Sequence, residues 1–417
     1  DYGINKVIII EKEKLQDLSY MFYNCTSLIS IRSFKNWNVE NITRMNSMFY
    51  NCKSITSIKP LKKWNVKNVK DMTLMFYNCI SLTSVSPLKN WDVSSVKSMK
   101  SMFYNCRNID SIDQLGNWNV NNVEIMNGLF ANCSSLTSAK YLTWETRNVN
   151  DISQLFFGCT SLCEIDGHKY WEVKEVTTME KMFCNCVNLN SIKPLSDWKN
   201  HVKNLKNMGS MFCKCENLND ISGLKEWTVE NVKNMEYLFK DCKSIESFED
   251  LREWKVDNVI NMRHMFDGCE KMSSIEPLKN WKIDNVKNMI GLFANCPNIT
   301  SNSLESWKIN ENTGTSLMFH NSGILMKSEI KNKEENAKNE KLNEKNDVHP
   351  EKYIDLKKIK YNIGNTKWST RIFGDNFVKT NKENLRLKIE GKDIGLCSRY
   401  QFKEKGENIV EIYELIP

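Results

Sequence analysis

Asn68 to Trp91 reads NVKDMTLMFYNCISLTSVSPLKNW, and its apolar residues Val69, Met72, Met75, Phe76, Cys79, Leu82, Val85 and Leu88 fall mostly three apart. Asn68 stands where a side chain can accept the first free N–H groups of a helix, and Asp71 follows where a negative charge suits the helix dipole. The stretch predicts a short helix over 69–77. Leu82 to Val85, rich in hydroxyl and branched residues and followed by Pro87, predicts one strand of a parallel ladder.

The same element recurs along the chain. Its cysteine returns at Cys25, Cys52, Cys79, Cys106, Cys133, Cys159, Cys186, Cys215, Cys242, Cys269 and Cys296, mostly 27 residues apart, with Ser322 in a last copy. A phenylalanine stands three residues before each, from Phe22 to Phe319, and a tryptophan keeps the same beat from Trp37 to Trp307. Self-similarity at a period of about 20–50 residues marks a solenoid or related array. One copy holds too few apolar side chains to offset the backbone entropy of ordering it, so the copies must stack and bury one another's faces. About twelve coils at a strand spacing of ~4.8 Å make a rod roughly 55 Å long.

The consensus MFYNCxSLxSIxPLKxWNVxNVxxM resembles the BspA-like leucine-rich repeat, including the variety found in mycoplasma surface proteins, over Leu15 to Ser322. The resemblance implies an α/β solenoid, leucine-rich-repeat-like, with a short strand and a short helix per coil. It also implies exposure at the surface of a bacterium or protist, and adhesion to host or neighbouring-cell components.

Residues 327–352 are almost entirely Lys, Glu, Asn and Asp, a composition that reads as a charged linker. From 353 to 417 the pattern changes to alternating segments, among them Lys357–Ile363, Leu385–Ile389 and Ile409–Tyr413, which predicts a small β-rich domain. Within it, RIFGDNFVKTN (Arg371–Asn381) resembles a small module associated with BspA-like arrays in protists. Residues 1–14 contain Asn5–Ile10, which reads as a strand leading into the first coil, and the start at Asp1 suggests a fragment or mature form of a chain that alternates β modules with repeat arrays.

Composition narrows the function classes. The 58 basic and 51 acidic residues nearly cancel, leaving +7 spread over the chain, so nucleic acid is not an expected partner. No run of 18 apolar residues occurs, and no membrane-spanning segment is expected. The five histidines belong to no metal or nucleophile motif and no phosphate-binding glycine loop is present, so catalysis and cofactors are not expected.

Three rows invite a functional reading beside a plainer one. The ladder cysteines read as buried small hydrophobes, or else as disulfide partners or metal ligands, with Cys184-Asn-Cys186 and Cys213-Lys-Cys215 able to bring four thiols together for zinc. The tryptophans read as a packed corner between coils, or as a stacking platform. The pairs between the two apolar beats of the strand are Thr56-Ser57, Thr83-Ser84, Asp110-Ser111, Thr137-Ser138 and Asn190-Ser191, continued by Asn219-Asp220 and Ser273-Ser274. They form the candidate ligand-binding stripe, suited to a glycan or an extended protein, though small polar residues are also what a solvated ladder tolerates. Trp198 to Leu205 carries two extra residues, an irregularity of the kind that marks sites in repeat arrays. Sequons at Asn24, Asn41, Asn132 and Asn298 are compatible with secretion.

The expected function is a non-catalytic interaction or adhesion module, at the cell surface or secreted, that binds a protein or glycan of a cell or matrix surface along its extended face. The alternative is an intracellular, cytoplasmic scaffold, favoured by so many free thiols.

Overall fold

The computed structural model describes residues 15–199, 201–299, 304 and 306–324, together with the strands of the C-terminal part. The chain divides into two compact units, Asp1–Glu335 and Asn336–Pro417. The expectations for Asn5–Ile10, the linker 327–352 and most of Arg371–Asn381 lie outside the described residues.

In the first unit, successive repeats stack as coils joined by backbone hydrogen bonds. Met72, Leu74, Phe76 and Asn78 donate their N–H groups to Ser98, Lys100, Met102 and Tyr104 of the next coil at 2.7–3.0 Å. The alternate residues Met75, Tyr77 and Cys79 donate to the carbonyl three residues back at 3.1–3.2 Å. The helix expected over 69–77 is therefore absent, and consecutive turns take its place. The reason is backbone conformation: Leu74 has φ 57° and Asn78 φ 59°, in a left-handed region that costs an ordinary residue roughly 1–2 kcal/mol and interrupts any right-handed helix. In exchange, half of the segment's amides reach the neighbouring coil. Asn68, expected as a helix cap, instead donates its side-chain amide to the Glu40 carbonyl of the preceding coil at 2.9 Å, and Asp71 accepts the Thr73 N–H at 2.9 Å in an Asx turn.

Parallel bridges of one residue run from coil to coil through Asp17, Arg44, Asp71, Ser98 and Ile125, and on to Gly314. The strand expected at Leu82–Val85 forms no bridge, and its equivalents pair only at Ser111–Ser138–Glu164 and Ser191–Asp220. Immediately afterwards the chain tightens into a 3-10 turn, such as Lys59–Lys63 or Ser86–Leu88, with Pro60 and Pro87 near its start. Proline has no N–H to extend a ladder.

The eight apolar residues of the reference copy are all fully buried. Each row repeats itself through the stack. Phenylalanines from Phe22 to Phe319 stack face to face, with ring centroids 5.4–6.0 Å apart and planes within 15°. From Trp64 to Trp307, each indole N–H donates at 2.7–3.1 Å to a backbone carbonyl of the coil before it. These tryptophans are buried, so the row is a packed corner.

The second unit contains β1 (Tyr353–Ile363), β2 (Thr370–Arg371), β3 (Leu385–Ile389), β4 (Lys392–Gly395), β5 (Arg399–Tyr400) and β6 (Gly406–Leu415). An antiparallel sheet takes the order β1-β6-β3-β4, and β2 pairs with β5. Tyr353 lies opposite Leu415 and Ile363 opposite Gly406, with a bulge between Asp355 and Lys357.

Candidate functional site

The candidate stripe lies in the short stretch that follows the turns of each coil and, in most coils, precedes a 3-10 element. Thr56 and Ser57 are exposed between buried Ile55 and Ile58, and Thr83 and Ser84 between buried Leu82 and Val85. The later pairs keep the first residue exposed and the second half-buried, as in Asp110-Ser111, Thr137-Ser138 and Asn190-Ser191.

The two residues of a pair have different work. The second serves the fold: Ser57, Ser84, Ser111, Ser138 and Ser191 each accept the backbone N–H two residues on at 3.2–3.3 Å, which fixes the entry to the turn that follows, a 3-10 turn in all but the coil of Ser138. Ser191 also donates to Asp220 of the next coil at 2.6 Å. Among the described residues, the side chains of Thr56, Thr83, Asp110, Thr137 and Asn190 make no such bond. The open half of the stripe is therefore this outer row.

At the first two coils the stripe borders a groove of about 670 Å³ lined by Thr56, Ser57, Ile29, Pro60 and five cations, Arg32, Lys35, Lys59, Lys62 and Lys63. Among the described residues the lining holds no carboxylate, and Ile29 is 66% exposed. A second groove, of about 530 Å³, lies around Arg252, Lys255, Glu230 and Asp257. There Lys255 lies 3.0 Å from Glu230 and Lys282 3.9 Å from Asp257, so its charges are met locally. Only the first of these two grooves presents uncompensated positive charge beside the stripe.

The ladder thiols are structural. From Cys52 to Cys296, ten of them donate at 3.1–3.3 Å to a phenylalanine carbonyl of the preceding coil, which is why Ser322 can stand in the last copy. Burial pushes Cys52 and Cys133 up to about 12, so neither is a thiolate at neutral pH. The four thiols of the two doublets do not gather as the zinc alternative requires. Cys186 and Cys215 belong to the ladder, and among the described residues no group of three or more His, Cys, Asp or Glu could hold a metal ion.

Chemistry that departs from the repeat appears in the position just after each stacked phenylalanine, which the sequence reading passed over. Tyr23, Tyr50, Tyr77 and Tyr104 stack there at 4.6–4.7 Å, followed farther on by Cys184, Cys213, Lys240 and Asp267. Lys240 pairs with the nearly buried Asp267, which also accepts from the Asn295 amide at 2.7 Å and lies 3.0 Å from His264 Nδ1. Burial, reinforced by Lys240 and Arg263 against the opposing pull of Asp267, lowers the His264 pKa and keeps its ring neutral at pH 7. This closed network satisfies its own charges. The aligned column was the available signal, because here a run of four tyrosines gives way to thiol and charged side chains.

No helix among the described residues is long and apolar enough to cross a membrane. No curated protein and no solved structure matches the chain. The stacked array does match a family model three times in tandem, over residues 16–141, 130–247 and 219–333. The chain therefore belongs to the repeat family described as Mycoplasma protein of unknown function, DUF285.

Proposed function

We propose that this chain is a non-catalytic interaction module, a leucine-rich-repeat-like solenoid of the BspA type, that binds a protein or glycan of a cell or matrix surface along the outer row of its stripe. The observation that carries the reading is the division of labour within each pair: the inner residue is committed to the turn while Thr56, Thr83, Asp110, Thr137 and Asn190 are exposed and uncommitted. The cationic groove beside Thr56 adds a preference for an anionic region of the partner at that end. Placement at the cell surface is part of the proposal and rests on the resemblance to BspA-like repeats.

The test is a screen of the whole chain against glycan arrays and purified matrix proteins, followed by the triple variant Thr56→Ala, Thr83→Ala, Thr137→Ala and the pair Lys62→Glu, Lys63→Glu. The reading expects a ligand whose affinity falls about tenfold or more in either variant, with the charge-reversal effect weakening as salt rises. A ligand indifferent to both variants, or no ligand at all, overturns it. A second reading, an intracellular scaffold, is favoured by the fourteen free cysteines among the described residues. Antibody labelling of intact against permeabilised source cells separates the two.

A further inference from the structure

Cys184 and Cys213 hold the same position in adjacent coils, each directly after a stacked phenylalanine. Their backbones are hydrogen-bonded on both sides of the pair, Phe183 N–H to Met211 O at 2.9 Å and Asn185 N–H to Cys213 O at 2.7 Å. Backbones joined coil to coil by such bonds approach the ~4.8 Å spacing of paired strands, inside the Cα separation of roughly 4.4–6.8 Å that a disulfide spans.

What distinguishes this pair from the ladder is where the sulfurs go. Cys186 and Cys215, two residues on, are fully buried and donate to the Phe156 and Phe183 carbonyls at 3.2 and 3.1 Å. Cys184 and Cys213 make no such bond to a carbonyl among the described residues, and each keeps 8% of its surface exposed beside its counterpart in the adjacent coil. The pair also brackets the irregular coil, because the step from Cys186 to Cys215 is 29 residues where most steps are 27.

We propose that Cys184 and Cys213 are a redox-active dithiol that a small-molecule disulfide of the glutathione class oxidises to a cross-coil disulfide, fastening the coil that carries the two-residue insertion. Cys213 is the attacking sulfur. The neighbouring Cys184 thiol lowers its pKa, and Lys214 and Lys240 act in the same direction against burial and Asp241, whereas Cys184 is held protonated. The Cys213 thiolate attacks one sulfur of the small disulfide, forming a mixed disulfide and expelling one thiolate. Cys184 then loses its proton and attacks Cys213 Sγ, expelling the second thiolate. Two protein thiols are oxidised and one small disulfide is reduced to two thiols.

The experiment incubates the whole chain with oxidised glutathione, alkylates the remaining thiols and maps the peptides by mass spectrometry. The expected result is a linked Cys184–Cys213 peptide, lighter by two hydrogens than the reduced pair and lost in Cys184→Ser and in Cys213→Ser. Cys184→Ser should instead accumulate a glutathione adduct on Cys213, and Cys213→Ser should leave Cys184 unmodified. If Cys184 and Cys213 remain reduced while the exposed Cys25 or Cys163 takes the adduct, the proposal is overturned. Should either variant fail to fold, the linked peptide in the unaltered chain decides the matter alone.

Discussion

His168 occupies a place in the leucine row, where Leu61, Leu88, Leu115, Leu142 and Leu195 stand in other coils. It is fully buried, with its ring centroid 4.5 Å from that of Trp171 and 5.4 Å from that of Phe156. Its Nδ1 lies 2.9 Å from the Ile165 carbonyl, while Nε2 finds no partner. Burial lowers its pKa from 6.5 to about 4. The folded ring stays neutral down to that value, whereas the unfolded chain takes up a proton below pH 6.5, so stability is intact above pH 6.5 and drains away as pH falls toward 4. Between pH 7 and pH 5 the loss from this group alone is about 2 kcal/mol.

His168→Leu should remove that loss. It should also stabilise the array at pH 7 by about 1–3 kcal/mol, because a buried nitrogen without a partner is replaced by an apolar group of similar size. The substitution leaves the backbone alone, and the His168 carbonyl that accepts the Trp198 indole at 2.7 Å does what leucine carbonyls do in other coils. Urea unfolding followed by tryptophan fluorescence, at pH 7 and pH 5 on both chains, measures the difference directly. Carboxylates titrate alike in the two proteins and cancel in the comparison. If the two chains lose the same stability between pH 7 and pH 5, His168 is not a buried neutral ring and the reasoning fails.

Asn78→Val should cost about 2 kcal/mol or more in urea unfolding, because it places a branched side chain in the left-handed region and deletes the side-chain amide bonds shared with Asn51 and Asn105, while Asn78→Gly should cost less. Cys106→Ser should keep the bond to the Phe76 carbonyl and destabilise by about 1 kcal/mol, whereas Cys106→Val should cost more by leaving that buried carbonyl with the Cys79 N–H alone and adding bulk to a packed row; thermal melting of both ranks them. Peptide-mapped alkylation of the native chain at neutral pH should label Cys25 and Cys163 first and leave the fully buried ladder thiols unmodified until denaturant is added.

The apolar rows were legible in the sequence because burial in a repeating coil imposes its period on residue type, as at Met72, Phe76 and Leu82. The local backbone was misread because consecutive turns can produce the same three-residue apolar spacing as a helix. One signal lay in plain view: the residue before each ladder cysteine is Asn in most coils and otherwise Gly158, Lys214, Asp241 or Gly268, a set dominated by types that tolerate positive φ. The other left-handed position carried no signal, since Leu74, Ser101, Tyr237 and His264 share no property. There the conformation is imposed by stacking on the next coil. Within the stripe, the Thr-Ser pairs looked like one surface because spacing alone cannot show that Ser57 caps a turn while Thr56 does not. The zinc alternative grouped all four thiols of the two doublets, whereas Cys186 and Cys215 are committed to the ladder and only Cys184 and Cys213 are left to face each other across adjacent coils.

That cross-coil pair also bears on compartment. Fourteen free thiols weigh toward a reducing interior only if they are free to react, and the ladder members from Cys52 to Cys296 are not: they are buried and hydrogen-bonded, and an oxidising exterior would leave them untouched. The inference from cysteine content to compartment therefore collapses onto the four described sulfurs that are not tied to a ladder carbonyl with no surface exposed, Cys25, Cys163, Cys184 and Cys213. Cys184 and Cys213 are the informative ones, since they can form a bond without a partner molecule. Chain taken from source cells under acid quench, alkylated and mapped, should carry the linked peptide if it works outside the cell and two alkylated thiols if it works inside. If that result disagreed with antibody labelling of intact cells, the dithiol would not be following the redox poise of its surroundings, and the exchange chemistry assigned to it would be wrong.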